Sequence, residues 1–491
     1  MCGFVGGTNL TKKDLINGLE ILKHRGQDSQ GFYADQKVAL GHNRLAILDL
    51  SSRAKQPFVI SSSERDIALV FNGEIWNYIN LKNKLIDRGY KFISRSDTEV
   101  LINGYLEWGI NLFEKIDGMF ALVIYDKTKD IILLSRDWVG KIPLHYVYKN
   151  KNLYFASEIK ALLKFRDVDL GDIKTFPPAY YLIFDLKTRE IKLRKYYSLP
   201  NFEVDDSFHE AARKIRKLLI EGVEKRLISD VPICALLSGG IDSLLITFIL
   251  KNYYPSIEAF TAYYDDRKFQ GSDLYYATRA AKWLGIKLEK IPIKRGEIIK
   301  NLQRIIYGLE SYKYYQVYAA TVNYFLARGI RKEGYKVAFC GEGSDELWGS
   351  YDTTREDAGL PEFKRVRRYL IENMHRGNLN RINKVMMYGG TIETRSPFLH
   401  RPLVEYSLNL PEHYITKGKE RKYLLKEAFQ REIPAEFLHR PKITIQDGSG
   451  VSNFFKNVIL KSEYNKNGYV DDQLIYRDIF NRLFNTKNAG I

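Results

Sequence analysis

Along the first two hundred residues the apolar positions fall in short runs broken by turn residues. Runs such as "IALVFNGEI", "MFALVIYD", "DIILLSRD" and "NLYFASE" predict β-strands. Two stretches follow a helical period instead: "KKDLINGLEILKHRG" and "NYINLKNKLIDRGY" carry apolar residues at helical spacing, and each stops at a glycine. After "YYSLPNFEVDDSF" the pattern changes. The amphipathic "FHEAARKIRKLLIEGVEKRLIS" predicts a helix and "ICALLS" a strand; a helix, the run "IEAFTAYY", the helix "YYATRAAKWLG", the run "LEKIPI" and, after more helix, "YKVAFC" follow. Strands alternating with helices predict βαβ units and a parallel sheet, whose ligands sit beyond the carboxyl ends of the strands. Chemistry is therefore expected just after "ALL" and just after "AFC".

A chain of 491 residues exceeds what one hydrophobic core supports, and the change of pattern divides it into domains at 1–203 and 204–491. With 45% apolar and 27% charged residues the chain reads as globular throughout. It contains neither a membrane-length apolar run nor a secretory pattern, so a cytoplasmic protein without membrane contact is expected. Cys2, Cys234 and Cys340 are odd in number, far apart and without CxxC spacing, which argues against a disulfide framework or a zinc site. Cys234 and Cys340 lie in apolar runs and are expected in the core. The net charge of +17 is spread along the chain. Its densest stretches, "FKRVRRY" and "KGKERKYLLKEAFQRE", read as solvated helix faces with interleaved glutamates, so a nucleic-acid partner is not expected.

"MCGFVGG" places a cysteine directly behind the start methionine. Removal of that methionine would leave Cys2 with a thiol and a free α-amino group, which titrates at about 8 and can serve as its base. Taken alone, a cysteine in this position is equally a coincidence. "HNRLAILDL", "FNGEIWNY" and "SRSDTEV", however, set polar residues in or beside apolar strands, where they are costly without partners.

A second candidate is "ALLSGGIDSLLI", a strand running through a glycine-rich turn into a helix, so that backbone N–H groups and the helix end face an anion. It lacks the lysine of a Walker motif. A bare SGG is also an ordinary turn, but Asp242 and Ser243 after it suggest phosphate and magnesium chemistry. "AFCGEGSDELWGSY" again sets glycines and acids after a strand end. Carboxylates from two strand ends suit Mg²⁺, so Asp242 and Asp345 are candidate ligands and Glu342 a candidate general base, while acids here also cap the helix that follows.

"MCGFVGG", "LKHRGQDSQG", "NRLAILD", "FNGEIWN" and "SDTEV" together resemble the glutaminase domain of class II amidotransferases. The second-half motifs, with "ETRSPFLHRPLVEYSLNLP" and "KYLLKEAFQREIPAEFLHRPKITIQDGSG", resemble the synthetase domain of glutamine-dependent asparagine synthetase. The resemblance implies an α/β and α+β protein: an N-terminal αββα domain of the N-terminal-nucleophile (Ntn) type, and a doubly wound parallel-sheet ATP-pyrophosphatase domain with a helical C-terminal part. It implies Cys2 as nucleophile, Arg44 on the glutamine α-carboxylate, Glu74 and Asp97 on the α-ammonium, and Asn72 with the Gly73 N–H as the oxyanion hole. It places ATP against Leu237, Ser238, Gly239, Gly240, Asp242, Ser243 and Gly341, Mg²⁺ on Asp242 and Asp345, and Lys442 on the phosphates. Ammonia made at Cys2 would pass through the interior to an adenylated carboxylate; a homodimer is one assembly the resemblance allows. Glu342 separates the chain from the related β-lactam synthetases, which carry tyrosine there and lack the N-terminal cysteine.

The resemblance breaks at "ESYKYYQVYAA", where asparagine synthetases carry a segment of the kind ETYDxTTxRAS. Lys313, Tyr315 and Tyr318 stand in place of its aspartate, threonine and arginine. Aspartate remains the default acceptor. The exchange also favours a ring-bearing acid, such as a sugar acid or biosynthetic intermediate, stacked on Tyr314, Tyr315 or Tyr318.

Overall fold

A computed structural model of the chain describes residues 1–62, 65–266, 272–351, 362–418 and 420–484. The chain folds as two compact units. The first comprises Met1–Ser198, Ile228–Val231 and the last described residues from Ile479; the second comprises Leu199–Leu227 and Pro232–Asp478.

Two six-stranded antiparallel sheets form the first unit. In one, the Gly3–Thr8 strand pairs with Val38–Arg44 on one side and Asn152–Ala156 on the other. In the other, Asp66–Ile75 pairs with Gly118–Asp126, which pairs in turn with Ile131–Arg136. Each sheet has its own helical cover. Leu15 and Leu19 of the Lys12–Ile21 helix pack with Val5, Ala39 and Val147 against the first sheet. Leu81, Leu85, Val100 and Leu101, from the Tyr78–Ile86 and Asp97–Trp108 helices, pack with Leu69, Phe71 and Leu122 against the second. Two helical layers therefore flank two sheets; the two helices that the periodicity predicts supply part of the covers, and the Asp97–Trp108 helix, which it does not predict, completes the second.

The second unit holds a five-stranded parallel sheet ordered Leu288–Ile293, Ala259–Tyr264, Ile233–Leu236, Val337–Phe339, Glu393–Arg395. In chain order this is strand three, two, one, four, five, the doubly wound pattern whose switch point lies between the first and fourth strands. The loops after Leu236 and Phe339 open at that point. The Phe208–Glu224 helix ahead of the sheet is set by a capping box, in which the Glu210 carboxylate accepts from Ser207 N at 2.9 Å.

The basic stretches match only in part the solvated faces that their composition predicts: Arg365, Lys417 and Arg431 are exposed, while other cations turn inward. Arg367, in the Glu362–Asn373 helix, is fully buried and donates to the carbonyls of Leu347 and Ser407, both at 2.8 Å. Arg368 donates to the carbonyls of Leu199 and Pro200, and Lys422 is buried as well. These cations cap backbone carbonyls or meet carboxylates, interior roles that charge patterning does not separate from a wet surface. Lys419 of the second stretch lies outside the described residues.

Candidate active sites

Cys2 lies just ahead of the Gly3–Thr8 strand, where its register brings Gly3 opposite Asn43 and the thiol beside Leu45, just past the end of the paired Val38–Arg44 strand. Sγ is 3.4 Å from the amide nitrogen of Leu45 and 3.8 Å from its carbonyl oxygen. Burial pushes the thiol pKa up; the Met1 α-ammonium, the Leu45 amide and Arg44 pull it down, and Glu74 adds to the rise. Cys2, Arg44 and Glu74 therefore share one electrostatic neighbourhood. Arg44 ends its strand, is 6% exposed, and donates to the carbonyls of Ser51 at 2.9 Å and Leu48 at 3.3 Å.

Asn72, Gly73 and Glu74 run consecutively at the end of the Asp66–Ile75 strand. The Asn72 side chain is fully buried, and neither its oxygen nor its nitrogen finds a hydrogen-bond partner among the described residues. At Gly73 the backbone has φ +146°, and a Cβ would lie 2.0 Å from the Met119 carbonyl oxygen, so only glycine fits. Asp97 opens the Asp97–Trp108 helix behind the Ser96 cap, and its carboxylate accepts from Ile75 N at 3.0 Å, joining the helix to the strand beside Glu74.

In the second unit a cavity of about 730 Å³ opens at the switch point. The turn after Ile233–Leu236 is cross-braced: Ser238 N donates to Ser243 Oγ at 3.2 Å, and Ser243 Oγ donates to the Gly240 carbonyl at 3.0 Å. Leu237 is buried beneath it. Gly239 has φ +76°, and a Cβ there would meet the backbone of Tyr276 and Ala277 at 2.6 Å. A Cβ on Gly341 would lie 2.8 Å from that of Asp242, so glycine lets the two loops touch.

Asp242 and Asp345 converge on one cation. The Lys422 ammonium lies 2.6 Å from both carboxylate oxygens of Asp242 and 2.8 Å from Asp345, and Ser344 Oγ donates to Asp242 at 2.6 Å. Lys442 reaches the other Asp345 oxygen. Burial pushes Asp345 up, but these two ammonium groups outweigh it and hold the carboxyl well below its usual range. Burial works against the charged Lys442, and Asp345 and Asp242 reverse that and raise its pKa. Among the described residues no group of three or more protein ligands could hold a metal. Two carboxylates that already grip a cation are the oxygen donor set Mg²⁺ takes when substrate phosphates complete its shell. The pair fits that ion.

The acid cluster continues deeper into the cavity. Glu342 accepts from Arg381 Nη2 at 2.8 Å. Glu346, buried near Asp345 and Glu342, has its pKa pushed up to about 7 and accepts from Tyr351 at 2.9 Å and Asn378 at 2.7 Å. Arg440 donates to the Ser238 carbonyl at 2.8 Å and pairs with Asp273, which burial raises to about 6 against the pull of Arg440. Lys422, Ser344 and Arg440 lie within the motifs without being singled out by them, and Arg381 lies outside them. Lys422 sits in a quoted stretch, but its left-handed backbone (φ 59°) just ahead of the Tyr423–Phe429 helix, which buries the side chain, leaves no periodic signal.

The segment that departs from the family pattern divides. Tyr315 lines the cavity. Tyr318 does not: its ring stacks on Phe455 at 4.3 Å and its hydroxyl donates to Asp472, so it is no stacking platform for an acceptor. Lys313 caps the Tyr314–Lys332 helix, and Tyr314 is 48% exposed outside the cavity lining. Cys234 is a core residue, whereas Cys340, buried too, contributes to the cavity wall.

Comparison with known proteins matches residues 1–197 to the glutamine amidotransferase domain and residues 214–372 and 353–490 to asparagine synthase. The glutamine-hydrolysing asparagine synthetase B of Escherichia coli is 33% identical over 463 residues, covering 90% of this chain and 80% of that one. Glutamine-hydrolysing asparagine synthetase 1 of Saccharomyces cerevisiae is 32% identical over 483 residues, covering 88% of this chain and 81% of that one. Among the described residues no helix is long and apolar enough to cross a membrane.

Proposed function

The chain belongs to the asparagine synthetase family, and from that premise we propose that it makes an amide from a carboxylic acid, with glutamine as nitrogen donor and ATP as co-substrate. Aspartate is the acceptor and asparagine, AMP and pyrophosphate are products. The observation that carries the reading is the convergence of Asp242 and Asp345 on one cation at the switch point of the parallel sheet.

At the first site, loss of Met1 turns the Cys2 nitrogen into a free amine beside Sγ. The amine takes the thiol proton, Sγ attacks the glutamine carboxamide carbon, and the proton passes to the leaving ammonia. Asn72 Nδ2 and the Gly73 N–H hold the oxyanion, for which the unpartnered Asn72 side chain is available. Arg44 holds the α-carboxylate by its fork, and Glu74 and Asp97 the α-ammonium. Water then hydrolyses the thioester to glutamate.

At the second site, the turn and helix start formed by Ser238, Gly239, Gly240 and Ser243 cradle the ATP phosphates, with Leu237 and Gly341 against the nucleotide. Asp242 and Asp345 would hold Mg²⁺, which when bound neutralises phosphate charge. The acceptor carboxylate oxygen attacks the α-phosphorus and pyrophosphate leaves, with Lys442 placed to meet its charge. Glu342 takes a proton from the attacking ammonia, and AMP departs as the amide forms. Arg381, 4% exposed and paired with Glu342 in the cavity wall, supplies the guanidinium that Tyr318 does not.

Tyr315 in the cavity wall favours one alternative, the same reaction on a ring-bearing acid such as a sugar acid. Pyrophosphate release, measured with ATP, Mg²⁺ and ammonium across aspartate and a panel of cyclic and sugar acids, decides between them. Turnover with aspartate supports the first reading. Turnover confined to a ring-bearing acid replaces it.

A further inference from the structure

One fully buried carboxylate outside both sites carries three basic side chains. Glu158 follows the Asn152–Ala156 strand in "NLYFASEIKAL" and is 0% exposed. It accepts from Arg25 Nη1 at 2.6 Å, lies 3.0 Å from His24 Nε2, and pairs with Lys160. Burial pushes Glu158 up, but His24, Lys160 and Arg25 outweigh it, so it is held well below its ordinary range as an anion. Burial holds His24 below its own ordinary value. Such a cluster is a poor source of stability, because desolvation of the ions cancels much of their attraction.

What the cluster touches is the backbone of the first site. Arg25, equally buried, donates from Nε to the carbonyl oxygen of Cys2 at 2.8 Å. The residue before Glu158 completes the hold: Ser157 N donates to the Phe4 carbonyl at 3.0 Å, and Phe4 N donates to Ser157 Oγ at 3.0 Å. Between these anchors, a Cβ on Gly3 would come within 3.0 Å of Arg25 Cβ and Cδ, so glycine lets the arginine lie along the chain. Residues 157 and 158 thus pin Cys2 and Phe4 on either side of Gly3.

We infer that Glu158 is a positioning residue for glutamine hydrolysis: through the Arg25 fork it fixes the Cys2 backbone, and with it the direction of Sγ. The inference rests on Cys2 being the nucleophile. The partners of Glu158 among the described residues include His24, Arg25 and Lys160 of its own unit, and glutamine binding stays with Arg44, Glu74 and Asp97. Its loss therefore changes the rate of attack and not the affinity.

The test uses the full chain with Glu158→Gln, Arg25→Lys and the double variant Glu158→Gln, Lys160→Met, which removes one charge of each sign. In each, kcat for glutamine hydrolysis is expected to fall about 10- to 100-fold, since small misplacements of a reacting group cost that much. KM for glutamine stays within about twofold and pyrophosphate release driven by ammonium is unchanged. Arg25→Lys keeps the charge but cannot make both bonds of the fork, so it does not rescue. The double variant guards against a folding defect from uncompensated buried charge, and its thermal midpoint is expected near that of the parent. A kcat within about twofold of the parent in that folded protein overturns the inference, as does a loss that shows only as a raised KM. Cys2→Ala, assayed alongside, must lose the glutamine-driven reaction and keep the ammonium-driven one. If it does not, the assignment of Cys2 fails whatever the Glu158 variants do.

Discussion

An asparagine amide with no hydrogen-bond partner inside a protein costs about 1–3 kcal/mol per group, a cost that a ligand repays when it arrives. Asn72 is in that state, beside the glycine whose N–H completes the proposed oxyanion hole. Asn72→Ala is expected to lower the kcat for glutamine hydrolysis about 10²- to 10³-fold, the usual loss for one oxyanion donor, and to leave ammonium-driven synthesis at the parental rate. Equal losses in both assays on one preparation would count against the role. His42 shows burial acting on a base: its pKa is lowered to about 3 while Nε2 lies 3.0 Å from the Phe71 carbonyl oxygen. In the unfolded chain it titrates at about 6.5. Its contribution is therefore complete above that pH and declines, by about 1.4 kcal/mol per unit, as the pH falls from there towards 3. Calorimetry of the parent should show its thermal midpoint dropping over this window, and His42→Gln should flatten the dependence.

Helices and strands were mostly legible from period alone, because long buried strands such as Gly118–Asp126 are continuous apolar runs and the covering helices expose one polar face. Less legible were elements whose charged residues point inward. Arg367 and Lys422 are buried by tertiary contacts from distant segments, a pairing that local spacing does not encode. The same limit explains the Tyr314–Lys332 helix, where a substitution in the motif looked like a change of pocket. Tyr318 instead stacks on Phe455 and bonds to Asp472 of the Asp472–Phe484 helix. Tyr318→Phe keeps the stack and loses the bond to a charged acceptor. It should destabilise the second unit by about 1.5–3 kcal/mol, read by thermal unfolding, with KM for the acceptor unchanged. A raised acceptor KM would put Tyr318 back in the pocket.

Across the whole molecule, the two candidate sites fall in different units, one an antiparallel sandwich that presents a cysteine at a strand start, the other a parallel sheet that gathers acids at its switch point. The candidate residues of both sites were legible where glycine or proximity in sequence marked them, as in "FNGE" and "LSGGIDS". The partners that hold them, Arg25 on the Cys2 carbonyl and Lys422 on Asp242, lie far apart in sequence from them and were not. The nitrogen released at Cys2 is expected to end in the amide of the acceptor. Supplying glutamine labelled with ¹⁵N in its amide, with aspartate, ATP and Mg²⁺, tests it directly. Labelled asparagine is expected, with AMP and pyrophosphate formed in equal amounts, and no labelled asparagine from Cys2→Ala unless free ¹⁵N-ammonium is added. Glutamine hydrolysis that yields neither pyrophosphate nor a labelled amide, with aspartate or any acid of the panel, would contradict it.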